Sequence, residues 1–240
     1  MPHLTKTQLA SRLRYDFQVV KSIEGPMIQV SAYCSVSDLK RKHNAITEVE
    51  AAGEATHYLI EYHIKSLKTK GKFHSKWLCH VDLLAEGSYP FSKPVAHIVS
   101  KPIPWSPHFL RKVGLICLGD NFWQNKNGDT LLYHLVIHVA KLLNFDEPYR
   151  EWYSGWNREA VQYWGSVLKG QPITPGLIYP IASHQLTHGK GEKDSCQSTD
   201  SHSDLAAMFK PIRQVSKPNV NLNVASISTD IVNQYFKKVQ

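Results

Sequence analysis

A chain of 240 residues and 27.3 kDa, 42% hydrophobic with 13 Gly and 13 Pro, can build one sizeable core and a smaller segment. This composition excludes collagen-like, coiled-coil and fully disordered architectures. The formal charge of +8, from 28 Lys and Arg against 20 Asp and Glu, suits an anionic partner, but charge speaks to association and not to fold.

In chain order, residues 7–17 read as an amphipathic helix with Leu9, Leu13 and Phe17 on one stripe and Arg12 and Arg14 off it. Four alternating apolar segments follow, at 27–33, 56–64, 77–84 and 95–99, each with the period of a strand. Between the second and third, Lys65, Lys68, Lys70, Lys72 and Lys76 run without an intervening acid, and Gly71 marks a hairpin tip. The expectation there is a solvated basic turn. Residues 131–143 form the clearest helix, with Leu131, Leu132, Leu135, Val136, Val139, Leu142 and Leu143 inward, Asp129 as N-cap and Pro148 beyond its end. A last helix spans about 156–168, with Ala160, Val161, Trp164, Val167 and Leu168 together. Helix, four strands, irregular segment and two helices make an α+β layout, with helices packed on a four-stranded antiparallel meander.

Composition shifts near residue 170. The first domain is placed at 1–170 and a C-terminal extension at 171–240, flexible at about 189–204 because that stretch has no large apolar residue to offset the entropy of ordering. Leu205, Met208 and Phe209, then Ile231, Tyr235 and Phe236, form short apolar clusters. The N-terminus lacks an apolar leader and no run approaches the roughly 18 apolar residues of a membrane span, so the expected location is cytoplasmic, with no membrane partner.

The chemistry concentrates in residues 87–123, which hold prolines at 90, 94, 102, 104 and 107 and lose periodicity after Val99. Of the cysteines at 34, 79, 117 and 196, none forms a CxxC pair, and the set reads as thiols of a reducing compartment. Cys34 and Cys79 fall in apolar strand patterns and Cys196 in the polar tail. Cys117 follows Gly114, precedes Gly119, and has His108 nine residues before it. It is either an accessible nucleophile on an extended loop or a small hydrophobe between Ile116 and Leu118. His134 and His138, four apart, fit a polar helix face better than a metal pair, and His184, His188, Cys196 and His202 match no familiar zinc spacing. No metal and no cofactor is expected.

Taken together, the order of elements, Tyr89-Pro90-Phe91 with Pro94, Pro107-His108, Gly114-Leu115-Ile116-Cys117-Leu118, Trp123 and Asp146-Glu147-Pro148 resemble the ubiquitin-conjugating (E2) family over about residues 7–168. The shortened, His-containing version is closest to divergent bacterial E2-like proteins of ubiquitin-like conjugation operons, including antiphage systems. The resemblance implies a UBC-like fold and a transferase that carries a ubiquitin-like protein as a Cys117 thioester. An E1-like activating enzyme would deliver the modifier, an amine such as a target lysine would receive it, and a JAB-type deconjugating peptidase would belong to the same operon. Phe109 follows His108, with no Asn to complete the family's motif, which hands the oxyanion donor's role to His108 or leaves that ring to order the proline-rich loop. Asp146 and Glu147 would orient or deprotonate the incoming lysine, or only end a helix. Lys6, Arg12 and Arg14 would meet the activating enzyme, which accounts for the basic charge and disfavours nucleic acid. The alternatives are a catalytically weak E2-variant scaffold, a basic nucleic-acid-binding module using Tyr62, Phe73 and Trp77, and a cysteine protease.

Overall fold

The computed structural model describes residues 3–119, 122–123, 130–146, 156–168, 172–177 and 179. Helix α1 spans Lys6–Ser22, longer than the expected 7–17, because Val19 and Val20 continue the buried stripe of Leu13 and Phe17. It opens with a capping box, Thr5 and Gln8 each satisfying the other's backbone N–H. Strands β1 (Ile28–Tyr33), β2 (His57–Tyr62), β5 (Trp77–Asp82) and β6 (Val95–Ile98) lie within the four expected segments. They pair antiparallel in the order β1-β2-β5-β6. A short helix α2 (Val36–Arg41), capped by Ser35, and a 3₁₀ turn (Glu50–Glu54) interrupt the β1–β2 connection; neither is long enough to show a period in sequence. The lysine run is a separate two-stranded ribbon, β3 (Ser66–Thr69) and β4 (Lys72–His74), with Gly71 at the tip at φ +70°.

Period-2 alternation splits the sheet cleanly. Its inner face presents Ile28, Val30, Ala32, Tyr58, Ile60, Tyr62, Trp77, Cys79, Val81, Ala96 and Ile98 to α1 and α3 (Leu132–Asn144). The Tyr62 hydroxyl donates to the Val136 carbonyl across that interface. On the outer face Tyr33, Leu59 and Leu78 pack with Leu39 of α2. Beside them His57, His80 and His97 line up across β2, β5 and β6, with ring nitrogens 3.2 and 3.3 Å apart. Burial holds His80 at a pKa of about 3, aided by the neighbouring His97, His57 and Lys40 charges, and burial holds His97 at about 4.

Arg12 departs from expectation. It is 1% exposed, and its Nε lies 2.6 Å from Asp16 Oδ2, one helical turn on, while its Nη2 donates to the Thr130 carbonyl. Asp16, also buried, accepts from the Tyr89 hydroxyl and from the Leu132 backbone N–H at the start of α3. A carboxylate from α1 therefore sits at the positive end of α3, and the charge is affordable inside because every partner is present. The cap expected from Asp129 lies outside the described residues, as does Pro148; Leu131 takes the N-cap position and donates its N–H to His134 Nδ1. Arg12 is thus not available to a partner.

Helix α4 (Arg158–Tyr163) is capped by Asn157 and runs into a π-helical turn (Trp164–Leu168), which together cover the expected last helix. Ala160 and Trp164 join Leu67, Trp105 and Phe145 in a second apolar cluster that seats the ribbon. Beyond residue 170 the chain still touches the domain, since Ile173 and Thr174 donate backbone N–H groups to Asn144. The stretch at 189–204 that was expected to be flexible, His184, His188, Cys196 and His202, and the apolar residues near the C-terminus lie outside the described residues.

Candidate functional site

The segment expected to be irregular after Val99 is ordered into a small ribbon. Leu110 N–H donates to Leu115 O and Cys117 N–H to His108 O at 2.7 Å, so 108–110 and 115–117 pair antiparallel around a turn. That ribbon is stitched to the free edge of β6, with Ile98 N–H on Gly114 O and Ile116 N–H on Ala96 O. Gly114 makes this approach possible: its φ is +74°, and a Cβ there would stand 2.2 Å from the Ile98 carbonyl oxygen.

Alternation then decides each side chain. Phe109, Ile116 and Leu118 are buried in the main core, whereas Cys117 falls on the opposite phase and is half-buried. Cys117 is therefore less buried than its neighbours Ile116 and Leu118. The other described cysteines contrast with it. Cys79 is fully buried, and burial pushes its thiol far up; Cys34 is exposed, yet partial burial and the Glu54 and Asp38 charges raise its pKa too. No disulfide joins the described cysteines.

His108 is half-buried on the strand opposite Cys117, its carbonyl holding the cysteine's N–H. The preceding Pro107 carbonyl accepts from Asn157 N–H, and Trp105 N–H donates to Leu67 O, so α4 and the lysine ribbon both brace this strand. His138, expected on a polar helix face, is instead 5% exposed and stacked on Phe122 at 3.8 Å. Burial and the nearby His108 charge hold its pKa at about 3, against a hydrogen bond with the Leu118 backbone. The spatial neighbour of the Cys117 segment that sequence reasoning missed is therefore His138; its signal was an apolar run on every side of it in the helix. His134 Nδ1 accepts from the Leu131 N–H, and among the described residues no group of three or more potential metal ligands occurs.

The remaining candidates separate. Asp146 uses one oxygen to accept from Asn144 Nδ2 and the other from the Tyr179 hydroxyl, so its observed role is to anchor the end of α3. Glu147 lies outside the described residues. Lys6 is exposed and Arg14 lies over the 3₁₀ turn, donating to Glu50 O, while Arg12 points inward, so the three do not form one basic face. Of the proposed stacking residues, Tyr62 and Trp77 are fully buried and only Phe73 is exposed. The Tyr89-Pro90-Phe91 motif acts as a bolt: Tyr89 reaches Asp16, and Trp123 Nε1 donates to the Pro90 carbonyl.

Among the described residues, no helix is long and apolar enough to cross a membrane. No family model matches the chain, and no curated protein matches it.

Proposed function

We propose that the protein is an E2-like carrier of a ubiquitin-like protein, working through Cys117 in a bacterial, antiphage type of conjugation system. One observation carries this reading: a half-buried thiol on a braced ribbon at the sheet edge, on the opposite phase to two core residues, with His108 paired across from it. The order helix, four-stranded antiparallel sheet, proline-rich segment and helix, which a UBC-like fold would share, supports it.

In the first step the Cys117 thiolate attacks the carbonyl carbon of the modifier's C-terminal thioester on the E1-like enzyme. The activating enzyme's thiolate leaves, and one thioester replaces another with little change in bond energy. An acceptor amine then attacks the new thioester, an amide forms, the Cys117 thiolate leaves and the amine's proton passes to solvent. The developing oxyanion needs a donor, and the His108 ring is the candidate on this ribbon. Each Asp146 oxygen already accepts one hydrogen bond and keeps a second lone pair with which to orient the acceptor amine.

Incubation with ATP, the activating enzyme and the modifier should give an adduct lost under reducing conditions and absent in Cys117→Ala. A thiol-sensitive adduct that persists in Cys117→Ala overturns the reading. His108→Ala should leave loading near wild type and slow discharge to amine by about 10²-fold, whereas equal loss of both marks a purely structural ring. The nucleic-acid alternative loses two of its three aromatic platforms to the core.

A further inference from the structure

The β3–β4 ribbon and the residue leading into it carry Lys65, Lys70 and Lys72 exposed and Lys68 half-exposed, and none of the four makes an ion pair with a carboxylate among the described residues. Lys76 alone on this stretch is neutralised, by Glu61 at 2.6 Å. Four cations within eight residues repel one another, and the cost is met only by an external anion or by dilution into solvent. Two features argue against mere solvation. First, the ribbon is anchored: Leu67 is buried with Trp105 and Trp164, and Lys70 Nζ lies 5.7 Å from the Tyr163 ring centroid. Second, Phe73 remains 41% exposed, next to Lys72 in the chain and with Lys65 Nζ 4.5 Å from its ring centroid. Through the Leu67–Trp105 hydrogen bond, and through α4 with its Asn157–Pro107 bond, the ribbon is fixed to the strand that bears His108.

We propose that this basic ribbon docks an acidic polypeptide segment, with Lys65, Lys68, Lys70 and Lys72 meeting its carboxylates and Phe73 meeting an apolar side chain among them. That the segment belongs to the acceptor protein rests on the carrier reading of Cys117; the docking itself does not. The ribbon suits carboxylates better than nucleic acid. It contains no arginine to fork around phosphates or base edges. Stacking of successive bases needs open ring faces, and Tyr62 and Trp77 offer none.

The test is fluorescence anisotropy with the full chain at about 0.15 M salt, where weak long-range attraction is screened. The probe is a labelled peptide of about 12 residues, alternating Glu and Ser with one central Leu, and its Glu→Gln version is the control. The acidic peptide should bind, the Gln peptide should not, and Lys70→Glu with Lys72→Glu should weaken binding about tenfold or more. Lys72→Glu alone, which leaves the Tyr163 contact in place, should give a smaller loss, and Lys70→Arg with Lys72→Arg should retain binding. Equal binding of both peptides, indifference to charge reversal, or tighter binding of a single-stranded oligothymidine that displaces the peptide overturns the proposal. Cys117→Ser should bind the peptide as wild type does, so failure here and failure of the thioester assay are told apart.

Discussion

Cys79 and Cys117 flank the same strand, β6, one on β5 and one on the ribbon that closes the sheet's edge, and yet they are chemically opposite. Cys79 pairs in register with Ile98 and shares the inward phase with Trp77 and Val81, so burial keeps its proton on. At the ribbon the inward positions belong to Ile116 and Leu118, and Cys117 takes the other phase. One residue of register separates an inert core thiol from an accessible one, because side chains on extended backbone alternate faces.

The largest expected effect tests that contrast directly. Peptide-resolved alkylation of the native protein should modify Cys117 at least about a thousandfold faster than Cys79, since the latter must wait for an opening of the core. Comparable rates would show that the ribbon does not hold its register. Next in size, Asp16→Ala leaves Arg12 buried without its partner and α3 without its cap, and should cost about 3–5 kcal/mol by urea denaturation. A loss below about 1 kcal/mol would mean that the network is hydrated and not buried. Gly114→Ala places a Cβ against the Ile98 carbonyl at positive φ and should cost about 2–4 kcal/mol, with Cys117 alkylation changing more than that of exposed Cys34. Unchanged stability and unchanged Cys117 rate would break the account of the ribbon's attachment.

Acid tests the opposite face of the same sheet. His80, His97 and His138 have folded pKa values of about 3, 4 and 3, below the roughly 6.5 of an unfolded histidine. The unfolded chain therefore binds protons first. Stability is full above about pH 6.5 and falls as pH drops toward 3–4, with a limiting slope of about 1.4 kcal/mol per pH unit for each ring. Urea midpoints at several pH values should show this fall, and His80→Gln should remove one ring's share. A flat profile would mean that these histidines are solvated. Because His80 adjoins Cys79, loosening in acid should also raise Cys79's accessibility before Cys117's changes.

Much of the scaffold is legible in the residues. The four strands stand out because each has one buried face and a period of two, and α3 because its apolar positions recur at helical spacing over 13 residues. Cys117 is legible as a candidate through its flanking glycines and the surrounding motifs. Arg12 was misplaced because a charge is taken to face solvent, although Asp16 four residues on was a visible sign of a local pair. His138 was misplaced for the same reason. The histidine ladder of His57, His80 and His97 is scattered over three strands, and only strand pairing brings the rings together.

By itself, then, the amino-acid sequence determined where α1, α3 and the four strands of the main sheet lie, which of their faces are mainly apolar, and where a thiol stands between two glycines. Local periodicity and backbone permissiveness act within a few residues and need no partner. Tertiary structure alone decided that Asp16 starts α3, that the ribbon closes on β6 with Cys117 out of the core, and that the lysine ribbon braces the strand bearing His108. Each of these depends on contacts between segments far apart in the chain, whose register and pairing no local pattern encodes.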